Sequence, residues 1–303
     1  MPILALFLLL AGSSGATPFS DLASKAQETR DPQVRVELYT KALAAFQAGH
    51  DDSADRVSAL VGRAYALDDL KRYEEGLADL AVAQKAAPSE WTVHKAKGYI
   101  LDDMGRCQAS SAAYAAALGL APPEARSVVY RELGLTLRDC ARDYKAADLP
   151  FVKAIEAAAA VKDLDDMTAA LRAFAANACR QGRFDAGIQA LDKSLTLIAD
   201  DTGALYDKAV CLDDAGRYAE AKTALSEVIR RAVDAGHAAG GYSEAGRRDD
   251  GKTLTVLPGD PNELPDCYFR RAGIEKDEGD HIGAARDYKA ACKLGLASAC
   301  KKR

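Results

Sequence analysis

A short turn signature returns through this chain at a period of about 34 residues, and that spacing limits the available folds more than any other feature. Lys71-Arg72-Tyr73, Gly105-Arg106-Cys107, Gly182-Arg183-Phe184 and Gly216-Arg217-Tyr218 occupy equivalent places. Gly105 follows Lys71 at the same interval as Gly216 follows Gly182. Seven residues beyond each third position comes a large apolar side chain: Leu80, Tyr114, Leu191 and Leu225. A period of this length is that of a helix–turn–helix repeat, which cannot bury its apolar face alone and does so by stacking on neighbours.

The clearest pair of repeats is 57–90 followed by 91–124. In the second, Trp91 opens the repeat, Gly98 lets its two helices approach closely, and Gly105 ends the first helix. Tyr114 and Ala117 pack the second helix back, and Pro122 closes it. Ala64, Lys71, Leu80, Ala83 and Pro88 hold the same offsets in the first. Leu77, Leu80, Ala81 and Gln84 fall at i, i+3, i+4 and i+7, one helix face with a single polar slip. Proline past the last turn cannot continue a helix, so it marks each boundary. The chain is 49% hydrophobic but only 7% aromatic, and much of the apolar share is alanine, the small side chain that close helix crossings need.

These residues resemble the tetratricopeptide repeat. Trp91, Gly98-Tyr99, Gly105, Tyr114, Ala117 and Pro122 match its first helix, turn, second helix and stop. Residues 168–201 add Ala175, Gly182, Phe184, Gly187 and Leu191; residues 202–235 add Ala209, Gly216, Tyr218, Ala221, Leu225 and Val228. A C-terminal repeat near 265–297 carries Tyr268, Ala272, Gly279, Ala284, Tyr288 and Ala291. The first (18–50) keeps Tyr39 and Ala42 without a turn glycine, and the fourth (125–162) keeps Gly134, Ala147, Phe151 and Ala154 but is longer. The resemblance implies an all-α, right-handed superhelical solenoid of about seven helix-turn-helix repeats.

The period breaks twice. The stretch from Gly105 to Gly182 exceeds two periods by about nine residues, and the alanine-rich run at 154–161 points to longer helices there. The stretch from Gly216 to Gly279 exceeds one period by about 29 residues, which marks an insertion. That segment, 236–264, is rich in Gly, Asp and Pro and reads as a loop with a short extended strip at 253–257. At the start, residues 3–10 form an apolar run too short to span a bilayer at about 20 residues. Ser14-Gly15-Ala16 follows with small residues at a cleavage spacing, although no Lys or Arg precedes the run. Leu10-Ala11-Gly12-Ser13 resembles a lipoprotein box with serine where the lipid-bearing cysteine would stand. The expected organisation is therefore a signal peptide (1–16), a solenoid of about six repeats (17–235), an inserted loop (236–264) and a C-terminal repeat (265–303). The mature protein is expected in the periplasm or secreted, with no transmembrane segment.

Acids outnumber bases 45 to 40, for a net charge of −5, so general nucleic-acid binding is excluded. The Lys301-Lys302-Arg303 end is too short to alter this. Residues 246–253 match the phosphate-loop pattern letter for letter, but no strand precedes them and Pro258 breaks the segment after them, so they are no nucleotide site. Ser298-x-x-Lys301 fits a nucleophile motif without its Ser-Asp-Asn or Lys-Thr-Gly partners. His50, His94, His237 and His281 are scattered without metal spacing, and His281 takes the aromatic slot after its turn glycine. No catalytic, cofactor-binding or metal-ligating set is expected.

Export permits disulfides. The run from Tyr288 to Cys300 resembles the cysteine-paired Sel-like repeats of secreted bacterial proteins, which implies a bridge between Cys292 and Cys300 worth roughly 2–3 kcal/mol. Cys107 with Cys140 and Cys179 with Cys211 are each separated by nearly one repeat, so neighbouring repeats could bring each pair close, but the spacing leaves open which of these cysteines pair; Cys267 would be left over.

Asp68-Asp69, Asp102-Asp103 and Asp213-Asp214 recur in the last turn of the first helix, where acids oppose the helix dipole by roughly 0.3–1 kcal/mol each. Two readings account for them. Asp69, Asp103 and Asp214 stand three residues before Arg72, Arg106 and Arg217 and could pair across the turn. In the tetratricopeptide family the first helix lines the concave groove, so the same acids, with Tyr65, Tyr99 and Tyr206, would form a stripe favouring a basic or aromatic-rich segment. Lys95 stands alone where some relatives carry a Lys and Asn set that holds tail carboxylates. The expected function is a non-catalytic extracytoplasmic scaffold binding a protein or peptide in that groove, a basic one being favoured by the acids. Alternatives are a cell-wall-associated Sel-like protein with weak binding or hydrolase activity on peptidoglycan or β-lactam, and an envelope-assembly subunit docking through the insertion.

Overall fold

A computed structural model describes residues 17–48, 51–234 and 263–302. The proposed leader, the loop match at 246–253, the strip at 253–257, His50 and His237 lie outside them. Among the described residues every named element is helical. The helices run in pairs: α1 (Pro18–Glu28) and α2 (Pro32–Ala45), α3 (Ser53–Asp69) and α4 (Tyr73–Ala86), α5 (Trp91–Asp103) and α6 (Cys107–Leu120). Then come α7 (Pro123–Leu135) and α8 (Tyr144–Val161), α9 (Leu164–Arg180) and α10 (Phe184–Leu197), α11 (Thr202–Asp214) and α12 (Tyr218–Asp234). Last are α13 (Glu263–Asp277) and α14 (His281–Lys293), with a final short α15 (Ala297–Cys300). The fold is an all-α helical repeat. Helix α13 begins at Glu263, inside the stretch read as loop, because Leu264 is buried and Pro265 is tolerated in a first turn.

One local device makes the pairs. The residues at the turn, Gly105, Gly182, Gly216 and Gly279, have φ from +70° to +86°, a region where glycine carries no Cβ penalty. The N–H of Gly216 donates to Asp213 O at 2.9 Å and that of Arg217 to Leu212 O at 2.9 Å, the two bonds of a Schellman cap. Lys71 makes the same turn at φ +59° and Arg142 at +55°, which is how the second and fourth repeats turn without glycine. Helix starts are set by side chains: Asp31, Asp52, Asp143, Asp163, Asp201 and Asp280 each accept a backbone N–H of the first turn.

The chain falls into two compact units, Met1–Ala96 and Lys97–Arg303, whose boundary lies within α5. In the first, Phe19, Ala26, Tyr39, Ala42 and Ala59 form a core around α1, α2 and α3, with Phe19 edge-on to Phe46 at 5.5 Å. In the second, an extended core runs from Leu171 through Leu191, Leu212, Leu225 and Val228 to Leu264 and Ile274, joining α9 to α13. The periodic apolar positions Leu80, Tyr114, Leu191 and Leu225 are all at most 1% exposed. Gly98 serves close approach as expected: a Cβ there would sit 3.0 Å from the Tyr114 ring.

The fourth repeat is longer for a reason beyond its alanine run. Helix α7 continues into a π-helical turn, Thr136–Cys140, which inserts extra residues before the αL residue Arg142. Helix α8 then runs 18 residues to an αL cap at Lys162.

Candidate functional site

The acid pairs sit where the Schellman caps place them, with the carbonyls of Asp68, Asp102 and Asp213 accepting the turn N–H. Arg72 forks onto Glu75 and Arg217 onto Glu220, each with two bonds of 2.7 Å on the far side of the turn. In the first unit Arg35 of α2 reaches Asp69 of α3 at 2.9 Å, and Asp68 is buried. Tyr65 is half-buried on the same helix, and Lys95 lies over the Trp91 ring at 5.5 Å. In the second unit Tyr99, Asp102 and Asp103 are half-buried on α5.

The sixth and seventh repeats contain the most developed arrangement. Arg270 of α13 donates to Asp213 of α11 at 3.1 Å and to Asp266, one turn earlier on its own helix, at 2.7 Å. The Tyr206 hydroxyl donates to the same Asp266 oxygen at 2.6 Å. Burial, then the Asp266 charge, pushes the Tyr206 hydroxyl far above the usual tyrosine range. Burial also raises the Asp213 carboxyl, against the opposing pull of Arg270. Tyr206 belongs to this network; it stands ten residues before its turn glycine, one helical turn further back than Tyr99, which stands six before Gly105.

Beside this network an open cleft of about 430 Å³ is lined by Asp213, Asp214, Asp266 and Asp277, by Tyr218, Phe269 and Tyr288, and by Arg270 and Lys302. Asp214 and Asp277 are exposed, and among the described residues neither forms an ion pair. Tyr218 is 49% exposed. Sequence reading found Asp213 and Asp214 but missed Asp266, Phe269, Arg270 and Asp277. Asp277 stands two residues before Gly279, as Asp214 stands two before Gly216, and Asp266–Arg270 is an i,i+4 pair on a helical stretch, so both signals were present. A second set went unread as well: Arg172 of α9 pairs with Asp207 of α11 at 2.7 Å, and burial raises that carboxyl.

All three cysteine pairs form. Cys107 is bonded to Cys140 and Cys179 to Cys211, with Cα atoms 5.6 and 5.7 Å apart, and Cys292 is bonded to Cys300 at 4.9 Å. Cys267 is buried and free of disulfide. Among the described residues there is no cluster suited to a metal ion and no helix long and apolar enough to cross a membrane.

Residues 178–241 match the tetratricopeptide repeat family. No curated protein is matched by the sequence. Among solved structures the chain is similar to a tetratricopeptide repeat protein from Parabacteroides merdae, at 14% identity over 94% of this chain and 96% of that one, with a TM-score of 0.58. It is similar also to PilW, described as a type IV pilus biogenesis factor, at 15% identity over 81% of this chain and 97% of that one, TM-score 0.59. A third is the apo form of RapI, at 8% identity over 94% and 76%, TM-score 0.67. At these identities the likeness is one of fold.

Proposed function

We propose that this tetratricopeptide-repeat chain is a non-catalytic scaffold, placed outside the cytoplasm, that holds a basic segment of a partner protein. The observation carrying this reading is the cleft between α11 and α13, where carboxylates outnumber cations four to two beside three aromatic rings. A stacked helical repeat offers a long rigid face and little else, so its usual work is to hold another chain. Three cystines support an oxidising compartment, since such bonds persist there and are rare in the cytosol.

The test is fluorescence polarisation with a decapeptide of Lys and Tyr and its counterpart with Glu for Lys. The basic peptide is expected to bind, and to weaken as salt shortens the Debye length. Equal binding of both peptides, or no binding of either, overturns the reading.

The Cys292–Cys300 bond favours a second reading, because it closes α14 onto α15 as the Sel-like resemblance implied. On that reading the protein binds or slowly hydrolyses cell-wall material. Absence of co-sedimentation with peptidoglycan, together with no turnover of a chromogenic β-lactam, removes it.

A further inference from the structure

The cleft divides its own charges unevenly. Arg270 is taken up by Asp213 and Asp266, and Asp266 is further fixed by the Tyr206 hydroxyl. That network satisfies the inner half of the cleft and makes Arg270 a positioning residue. It leaves Asp214 and Asp277 as the carboxylates with no ion pair among the described residues, next to the exposed Tyr218 ring and the half-buried Phe269 ring. Two open carboxylates beside aromatic faces suit a long cationic side chain, whose methylene stem lies on the rings while its charge meets the acids.

The chain itself brings such a side chain to this place. Lys302 lines the cleft, and its position is built. Ala299 is wholly buried against Ala272, Ala284, Tyr288 and Ala291. The Cys292–Cys300 bond ties α15 to α14, and the Lys302 N–H donates to Ala299 O at 3.1 Å. Lys302 is exposed there and forms no ion pair with any described residue, so the cleft acids are not neutralised by it.

We infer that the cleft is a subsite for one Lys or Arg side chain of an extended basic segment, and that Lys302, held there by the Cys292–Cys300 staple, is its built-in competitor. This rests on the scaffold reading above and adds the ligand's chemistry and the group that tempers its affinity. An incoming cation meets Asp214 and Asp277 only against the repulsion of Lys302. Freeing the tail lets the lysine swing into solvent and strengthens binding.

The same Lys/Tyr decapeptide tests this on the full chain. Lys302→Ala is expected to tighten binding about three- to fivefold, the size of one exposed charge interaction. Cys292→Ser with Cys300→Ser is expected to tighten it in the same direction, provided the α-helical circular dichroism of the variant is retained. Asp214→Asn with Asp277→Asn is expected to weaken it about tenfold and to flatten its salt dependence. If the Asp214 and Asp277 variant loses binding but the Lys302 and cysteine variants match the parent, the competitor is wrong and the subsite stands. If the peptide binds and the aspartate variant binds equally well, the subsite is wrong although the scaffold reading survives. If no variant binds, the scaffold reading itself falls.

Discussion

Arg63 and Arg271 each stand eight residues before their turn residue, Lys71 and Gly279, and each binds an aspartate eight residues past it, Asp79 and Asp287. Each also reaches a hydroxyl on the second helix of the preceding repeat: Arg63 to Thr40 at 3.1 Å and Arg271 to Ser226 at 3.0 Å. The second and seventh repeats thus share one stitch that ties a hairpin together and then to its neighbour. They differ in depth. Arg63 grips Asp79 with two bonds of 2.7 Å, and that side chain is 11% exposed; Asp287 is 1% exposed and accepts from Arg271 at 2.6 Å and from Arg286 at 3.3 Å. The same letters at the same offsets therefore give a somewhat shallower ion pair in one unit and a deeper one in the other.

That difference sets the largest expected effect. Asp287→Ala removes the more deeply buried carboxylate from Arg271 and should cost about 3 kcal/mol, whereas Asp79→Ala, at the shallower pair, should cost about 2 kcal/mol. Hydrogen exchange of α13–α14 in the first variant and of α3–α4 in the second measures each locally; equal losses would break the comparison. Covalent ties sharpen it next. No cysteine lies within residues 1–96, while all three disulfides lie in the second unit. Replacing Cys179 and Cys211 by serine should cost about 2–4 kcal/mol. Adding a reductant to the parent should speed exchange in α9 to α12 and leave α1 to α4 unchanged; loss of protection in the first unit would contradict this. The smallest effect concerns the turns. Lys71 already carries the left-handed conformation at φ +59°, so Lys71→Gly should stabilise by about 1 kcal/mol. Gly216→Lys, at φ +73° with nothing within 4 Å of an added Cβ, should destabilise by about the same amount, because backbone conformation is its only cost. Thermal melts of the two variants shifting in the same direction would refute that account.

The acid pairs show where reading the sequence stops. Asp69 and Asp213 belong to the same recurring motif, yet one is neutralised from behind by Arg35 and the other from ahead by Arg270. Arg35 stands one full period before Asp69, whereas Arg270 stands 57 residues after Asp213, beyond the insertion, so no single offset marks both partners. Cysteine partners were easier to see, since a separation of 33 or 32 residues is nearly one period and lands on an adjacent helix. The π-helical turn at Thr136–Cys140 left only a length discrepancy as its trace.

What the residues determined unaided is the part governed by near neighbours in the chain. A glycine able to take positive φ, an aspartate one step before a helix and apolar side chains at helical spacing all act within a few residues, so hairpins, their ends and their buried stripe follow directly. Tertiary structure alone decided which carboxylates are neutralised and which stay open at Asp214 and Asp277. A charge answers to whatever cation the next helix happens to deliver, and that delivery depends on packing across tens of residues.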